Sequence, residues 1–419
     1  MKIDKDELKS ALHIATKFVE KRSHMPILAC VMIDGEAGKM YATDLESACV
    51  LPLTITDVEK VTVDPHKEAR EDFAAELGDL KVAQLRSIAE DYEIEIPSKG
   101  KSSAIVDAIV NGSSLVKSAE VGSRVVLVAE SLKRIVDSLD ETGMIELNCQ
   151  PGKVSVGKHF HEIYTMPDDE YPIPFILEKI IGTASVGRGD LESVLPATTK
   201  SDVGFKLSGV YFDRENLKVV GTDGHRLHFA PAEIHVGGTK GFMVDAGFLK
   251  KVPNGDLKPE DSIEIEVYGD ASGDPGYLKV RSGRNEFISR VMDARFPDYR
   301  AVVPKESRNS VRITRKDVMV ALKQALVITN HTGAAKLTFN GGIDVSVANS
   351  DTGAYERSKV PMRGHVDPPV SIGLNLKYLV DAMPGKGDDD EFTVELTDEC
   401  HPVLFKRNNF TALVMPMRL

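Results

Sequence analysis

Thr314-Arg-Lys-Asp-Val-Met-Val-Ala-Leu-Lys-Gln-Ala-Leu326 sets Val318 and Leu322 four positions apart, on one face of a predicted helix. The pattern is already present at Gly189-Asp-Leu-Glu-Ser-Val-Leu-Pro-Ala-Thr-Thr-Lys200, with Leu191 and Leu195 in the same roles. Near the start of the chain, Asp4 to Val19 repeats it once more with Leu8, Leu12, Ala15 and Val19 on one face. Each helix has a second one downstream: Glu130–Leu139 (ESLKRIVDSL), Ala246–Val252 (AGFLKKV) and Asn375–Met383 (NLKYLVDAM). Leu191 to Leu249 and Val318 to Leu376 both span 58 positions. Equal intervals between equivalent helices define homologous repeats, and there are three.

Short alternating apolar runs closed by turn residues fill the space between the helices, among them Ile27–Asp44, Gly209–Asp213 and Leu217–Asp223. Two helices with mostly antiparallel strands make each repeat an α+β unit. In the first repeat, Leu8 to Leu132 spans 124 positions, 66 more than in the others. The excess lies between Asp64 and Gly122, where Leu80–Asn111 predicts two short helices around a loop holding Pro97 and Gly100. Leu85, Ile88, Ile105 and Ile109 can pack between those helices. Tyr171-Pro-Ile-Pro174 marks the end of the first repeat. The expected domains are 1–63 with 122–174, an inserted domain at 64–121, then 175–303 and 304–419.

Composition narrows the function. The chain has 419 residues, 42% hydrophobic and 28% charged, with a net charge of -12 and no tryptophan. That balance argues against gripping nucleic acid by bulk charge, and against extended base stacking. No apolar run reaches the ~20 residues of a membrane span. The charged start, MKIDKDELKS, is not a signal peptide. Cys30, Cys49, Cys149 and Cys400 lie far apart with no CxxC, which points to a reducing compartment without a zinc site or disulfide frame. No motif calls for a cofactor.

Basic residues nevertheless recur at equivalent places. The second helices carry Lys133 and Arg134, Lys250 and Lys251, and Lys377; the first helices and their flanks carry Lys9, Lys17, Lys200, Lys316 and Lys323. Lysine is common on any helix surface. Its repetition favours one positive face, which would line a hole if the repeats close into a ring. A duplex there would be held through phosphates, without sequence information.

Six stretches resemble the bacterial DNA polymerase III beta subunit family, the sliding clamps. They are Met25–Leu28 (MPIL), Ala42–Glu46 (ATDLE), Gly221–Leu227 (GTDGHRL), Arg295–Arg300 (RFPDYR), Ile372–Ala382 (IGLNLKYLVDA) and the terminal Val414–Leu419 (VMPMRL). They occur in the family's order and cover the chain outside the insertion. The resemblance implies a non-catalytic head-to-tail homodimer, a six-domain ring around duplex DNA. It also implies short linear peptides from DNA polymerase and clamp loader entering a groove between the second and third domains. By match, one part of that groove is Leu207, Thr222, Gly224, His225, Arg226, Leu227, Pro297, Val302, Leu413 and Met415. The other part is Asn375, Tyr378, Cys400, Pro402, Pro416, Met417 and Arg418. The resemblance further places Arg22 and Ser201 at DNA contacts, and Ile163 against Val327 and Ile328 at the subunit interface. Ala301 and Cys400 depart from the family pattern.

The insertion resembles SAP or helix-extension-helix domains, with Lys99 and Lys101 as phosphate contacts. Glu90, Asp91, Glu93 and Glu95 suit a protein-docking or spacer role instead. Typical bacterial clamps lack such a domain, so the chain is expected to be a divergent or phage-type member, in the cytoplasm of a bacterial or phage-infected cell.

An enzymatic alternative rests on Asp223 and His225 as a fragment of a DNA-acting hydrolase or nuclease. The two are separated by one glycine in a turn, and no HExxH, GxSxG or Cys/His cluster accompanies them. The Gly385–Glu391 run lacks the spaced ligands of a calcium loop and reads as a solvated hairpin loop. The tail admits two readings: a last strand tucked into a core, or a soft, methionine-bearing docking surface.

Overall fold

The computed structural model describes residues 1–21, 24–58, 61–63, 85–86, 103, 105–106, 119–121, 123–140, 142–150, 153–157, 161–173, 175, 177, 179–199, 207–253, 258, 261–270, 273–349, 352–385 and 387–418. Arg22, Lys200, Ser201 and most of the Leu80–Asn111 pair of helices, with Lys99 and Lys101, lie outside them. The chain divides into two compact units. One is Met1–Leu45 with Val50–Ile173; the other is Pro174–Leu419 with Glu46–Cys49.

In the first unit, helix α1 (Lys5–Ala15) starts where Asp4 accepts the free amides of Asp6 and Glu7 at 3.1 and 3.0 Å. It stops at Ala15, short of the expected Val19, although Phe18 and Val19 are still buried. Leu8, Leu12 and Ala15 face inward and meet Leu132 and Val136 of helix α2 (Ala129–Ser138). Beneath them, strand Cys30–Asp34 runs antiparallel to Lys39–Thr43 on one side and Arg124–Val128 on the other, with Met32 opposite both Tyr41 and Val126. The insertion leaves and re-enters through an antiparallel stem, Val61 opposite Val121 and Val63 opposite Ala119. A stem that brings both ends together lets 66 extra residues be added without disturbing the strands on either side. Within the insertion, Leu85, Ile105 and Val106 are buried in helical backbone.

The second unit holds the other two repeats. Helix α3 (Arg188–Val194) ends after seven residues because Pro196 has no amide to donate, and the chain tightens into a 3-10 turn over Leu195–Ala197. Helix α4 (Ala246–Lys251) is capped by Asp245, helix α5 runs Arg315–Ile328, and helix α6 (Leu376–Asp381) is capped by Asn375. One eight-stranded antiparallel sheet joins the repeats. Its order is Gly241–Asp245, Gly209–Asp213, Lys218–Thr222, Arg226–Pro231, Phe410–Val414, Val403–Arg407, Glu391–Leu396 and Asn309–Thr314. The seam is the last strand of the chain: Phe410–Val414 pairs with Arg226–Pro231, Leu227 opposite Leu413. All five of its residues are buried. Leu413 and Leu404 pack with Leu227, Val220 and Tyr299 in one apolar cluster. Each such side chain contributes roughly 1.5–3 kcal/mol on burial, so the chain terminus is a principal tie between the repeats. The fold is three repeated α+β units of helix pairs and antiparallel sheets.

Candidate partner-binding groove

The Thr222–Arg226 turn joins two strands of that sheet, and its side chains build it. Thr222 Oγ1 donates to the Arg226 carbonyl at 2.7 Å and accepts the Gly224 amide at 3.2 Å. Asp223 Oδ1 accepts the amides of His225 and Arg226, each at 3.0 Å. Gly224 sits at φ +87, a left-handed conformation that favours glycine. A Cβ placed there would meet nothing within 4 Å. The missing side chain therefore leaves open space beside the turn.

That space is the floor of a groove of about 270 Å³. Leu207, Leu227, Pro297, Val302, Leu413 and Met415 make its walls, with Thr222, Gly224 and Arg226 at the turn and Asp298 and Tyr299 completing the rim. Met415 and Val302 are exposed, whereas Leu227 and Leu413 are buried at the base. Nine of the ten residues assigned to this part from sequence come together here; His225 is exposed at the turn. Asp298 and Tyr299 were absent from that assignment, yet they lie inside the RFPDYR stretch that carried it.

Both readings of the tail hold, in succession. The strand to Val414 is core. Beyond it the Met415 amide donates to the His225 carbonyl, and the Met417 amide to the Gly373 carbonyl, both at 2.9 Å. The tail thus runs from the turn to the strand that leads into α6. Met417, Pro416, Pro402, Asn375 and Tyr378 are half-buried along this path, and Cys400 and Arg418 are exposed. Asn375 is occupied within the protein: its Oδ1 caps α6 at the Lys377 and Tyr378 amides, and its Nδ2 donates to the Thr332 carbonyl at 3.0 Å. Arg226 is occupied too. Its side chain is 10% exposed and bonds Asp223 through Nε at 2.9 Å, Asp381 through Nη1 and the Pro196 carbonyl through Nη2. The guanidinium lies 4.4 Å from the centre of the Tyr378 ring. Burial raises the Tyr378 phenol above its usual range, and the Asp223 carboxylate adds to the shift.

One strand residue further in, His228 is fully buried, with Nδ1–H donating to the Ser193 carbonyl at 2.8 Å and its ring edge-on to Phe410. Burial pulls its pKa down to about 4. Sequence inspection passed over it, since an imidazole in an alternating strand gives no sign of how deep it sits.

The Asp223–His225 pair does not form a hydrolytic site. Both Asp223 oxygens are bound, one to turn amides and the other to Arg226. Among the described residues, no group of three or more His, Cys, Asp or Glu is placed to hold a metal.

The basic residues are distributed as follows. Lys9 pairs with Asp137 across α1 and α2 at 3.0 Å, and Lys316 pairs with Asp388 at 3.4 Å. Arg134, Lys250, Lys323 and Lys377 are exposed, and Lys133 and Lys251 half-buried. Of the residues assigned to a subunit interface, Val327 is 83% exposed on α5 and Ile328 is half-buried. Ile163 is buried in its own unit, next to Tyr164 at 85% exposure.

Three repeated α+β units and an apolar groove at the seam of two of them define a clamp-fold protein that offers a binding surface. Comparison with known proteins specifies the family. Residues 300–418 match the family described as DNA polymerase III beta subunit, C-terminal domain. The beta sliding clamp of Vibrio cholerae is 24% identical over 353 residues, covering 80% of this chain and 89% of its own. The sliding clamp structure from Pseudomonas aeruginosa superposes with a TM-score of 0.73 at 18% identity, covering 100% of this chain and 99% of that one. The Helicobacter pylori beta clamp bound to a DNA ligase peptide gives 0.71 at 16% identity, covering 100% of both. The chain belongs to the DNA polymerase III beta sliding clamp family.

Proposed function

We propose that the protein is a processivity clamp: a non-catalytic ring, closed by two copies head to tail, that encircles duplex DNA and tethers a polymerase and other partners by short peptides seated in the groove. The observation that carries this is the open, apolar groove beside the Gly224 turn, formed by residues matching the family's peptide site. Apolar pockets supply affinity and the backbone groups of the turn and tail orient the ligand. Polymerase and clamp loader are the expected peptide donors. The basic residues of the paired helices, Lys9, Lys133, Arg134, Lys250, Lys251, Lys316, Lys323 and Lys377, with Arg22, Lys200 and Ser201, are the proposed DNA contacts. Ile163, Val327 and Ile328 belong to the proposed subunit interface. The domains are 1–63 with 122–174, 175–303 and 304–419, with 64–121 as an appended domain of SAP-like character, as in a divergent or phage-type clamp. No helix among the described residues is long and apolar enough to cross a membrane; the place of action is the bacterial cytoplasm.

The test is primer extension on a singly primed circle by a cognate polymerase and loader with ATP. Addition of the protein lengthens products per binding event. A variant with the groove floor filled, Gly224→Leu, does not. Equal product lengths with and without the protein would refute the proposal.

A further inference from the structure

We infer that Arg226 is a positioning residue that joins the two parts of the groove into one coupled unit, so that occupancy of one part raises affinity in the other. The inference rests on the groove reading above and adds a role that contact with the peptide does not require. Arg226 contributes to the wall of the first part, yet its guanidinium turns away into the protein. Its donors reach the turn at Asp223, the 3-10 segment at Pro196 and helix α6 at Asp381. A planar guanidinium has five N–H donors in a fixed fork, so one side chain fixes three elements in a single geometry. The ring of Tyr378, a member of the second part, lies 4.4 Å from the same group. The His225 ring is stacked near it, with centroids 6.4 Å apart. The residue that shapes one end thus holds the side chain that shapes the other. The side chains of Arg226 and Asp223 are 10% and 13% exposed, so water competes weakly for these bonds. A ligand that presses the turn into place holds Tyr378 and α6 with it. By linkage, a ligand on Tyr378 holds the turn.

Asp381 lies outside the groove lining, which makes Asp381→Asn the variant of choice: it keeps shape and removes the charge that anchors α6. The probes are a synthetic pentapeptide with glutamine first and two apolar residues last, and its C-terminal apolar tripeptide, titrated by calorimetry into the full chain. In the unmodified chain the pentapeptide binds more tightly than the tripeptide. Asp381→Asn should shrink that advantage by roughly 5–20-fold while leaving tripeptide affinity unchanged, and Asp381→Glu should restore it in part. Amide exchange should quicken at both Gly221–Leu227 and Leu376–Ala382 in Asp381→Asn. Equal loss for both peptides, or no loss for either, overturns the coupling, as does unchanged exchange in α6. Failure of both peptides to bind the unmodified chain refutes the groove reading and takes the coupling with it, whatever the exchange data show.

Discussion

Two hairpins in the molecule have the same backbone and different uses. In the first unit, strands Lys39–Thr43 and Ser47–Pro52 flank the turn Thr43-Asp-Leu-Glu46. In the second unit, Lys218–Thr222 and Arg226–Pro231 flank Thr222-Asp-Gly-His225. Every residue of the second lies 179 positions after its counterpart in the first. Each turn is closed by its threonine, Thr43 Oγ1 accepting the Leu45 amide at 3.0 Å and Thr222 Oγ1 the Gly224 amide at 3.2 Å. Both third residues are left-handed, Leu45 at φ 71 and Gly224 at φ 87. The turn before each hairpin shows the same exchange reversed, Gly38 at φ 60 against Leu217 at φ 51. Conformation is therefore common property of the repeats, and side chains decide what each does. Where the first hairpin carries Leu45, the second leaves a floor. Ser47 and Cys49 of the first are replaced by the anchoring Arg226 and the buried His228.

The largest expected effect breaks the comparison at Arg226. Arg226→Ala strands two carboxylates and a carbonyl with little access to water, and should lower the stability of the second unit by about 3–5 kcal/mol, measured by urea unfolding. A loss below about 1 kcal/mol would show that the anchor is ornamental.

Next is the exchange of His228 for Cys49. The His228 pKa falls from an ordinary 6.5 to about 4 on folding. A neutral imidazole is thus favoured in the folded state, and the unfolded chain takes up its proton first. Stability is full above pH 6.5 and declines as pH drops from 6.5 to about 4, by roughly 3 kcal/mol in total. His228→Cys imports the residue of the first hairpin and should flatten that part of the pH–stability profile. An unchanged slope would assign the acid sensitivity elsewhere.

Filling the floor sharpens the comparison. Gly224→Leu gives the second turn the residue the first already tolerates. It should cost about 1–2 kcal/mol of stability, without unfolding the chain, and weaken peptide binding at least about 10-fold by calorimetry. Undiminished binding would place the peptide elsewhere. The smallest effect lies at Leu217, which is 51% exposed. Leu217→Gly relieves its left-handed strain and gives back some of that gain as chain entropy, for a net stabilisation of about 0.5 kcal/mol, read as a small rise in Tm.

The periodic features of this fold were legible in the sequence. Helix faces follow from residues four apart, and the 58-position interval exposed the repeats. The VMPMRL, RFPDYR and GTDGHRL stretches located the groove. What the sequence did not yield depends on three-dimensional partners. Nothing local in NLKYLVDA states that Asp381 will bind an arginine 155 positions earlier. Nothing in RLHFAP marks His228 as buried, because strand alternation gives direction and not depth. The early end of α1 at Ala15 was missed because Phe18 and Val19 continue the apolar pattern after the helix has stopped. Helix boundaries follow capping more than hydrophobicity.

The central claim is that this chain holds DNA by enclosing it. The most direct test loads the full protein onto a nicked circular duplex with a clamp loader and ATP at moderate salt, then cuts the circle once. Retention on the intact circle and loss on linearisation is the result expected of a ring. Binding that ignores the cut and disappears with added salt would mean ordinary phosphate contact, and would contradict the account.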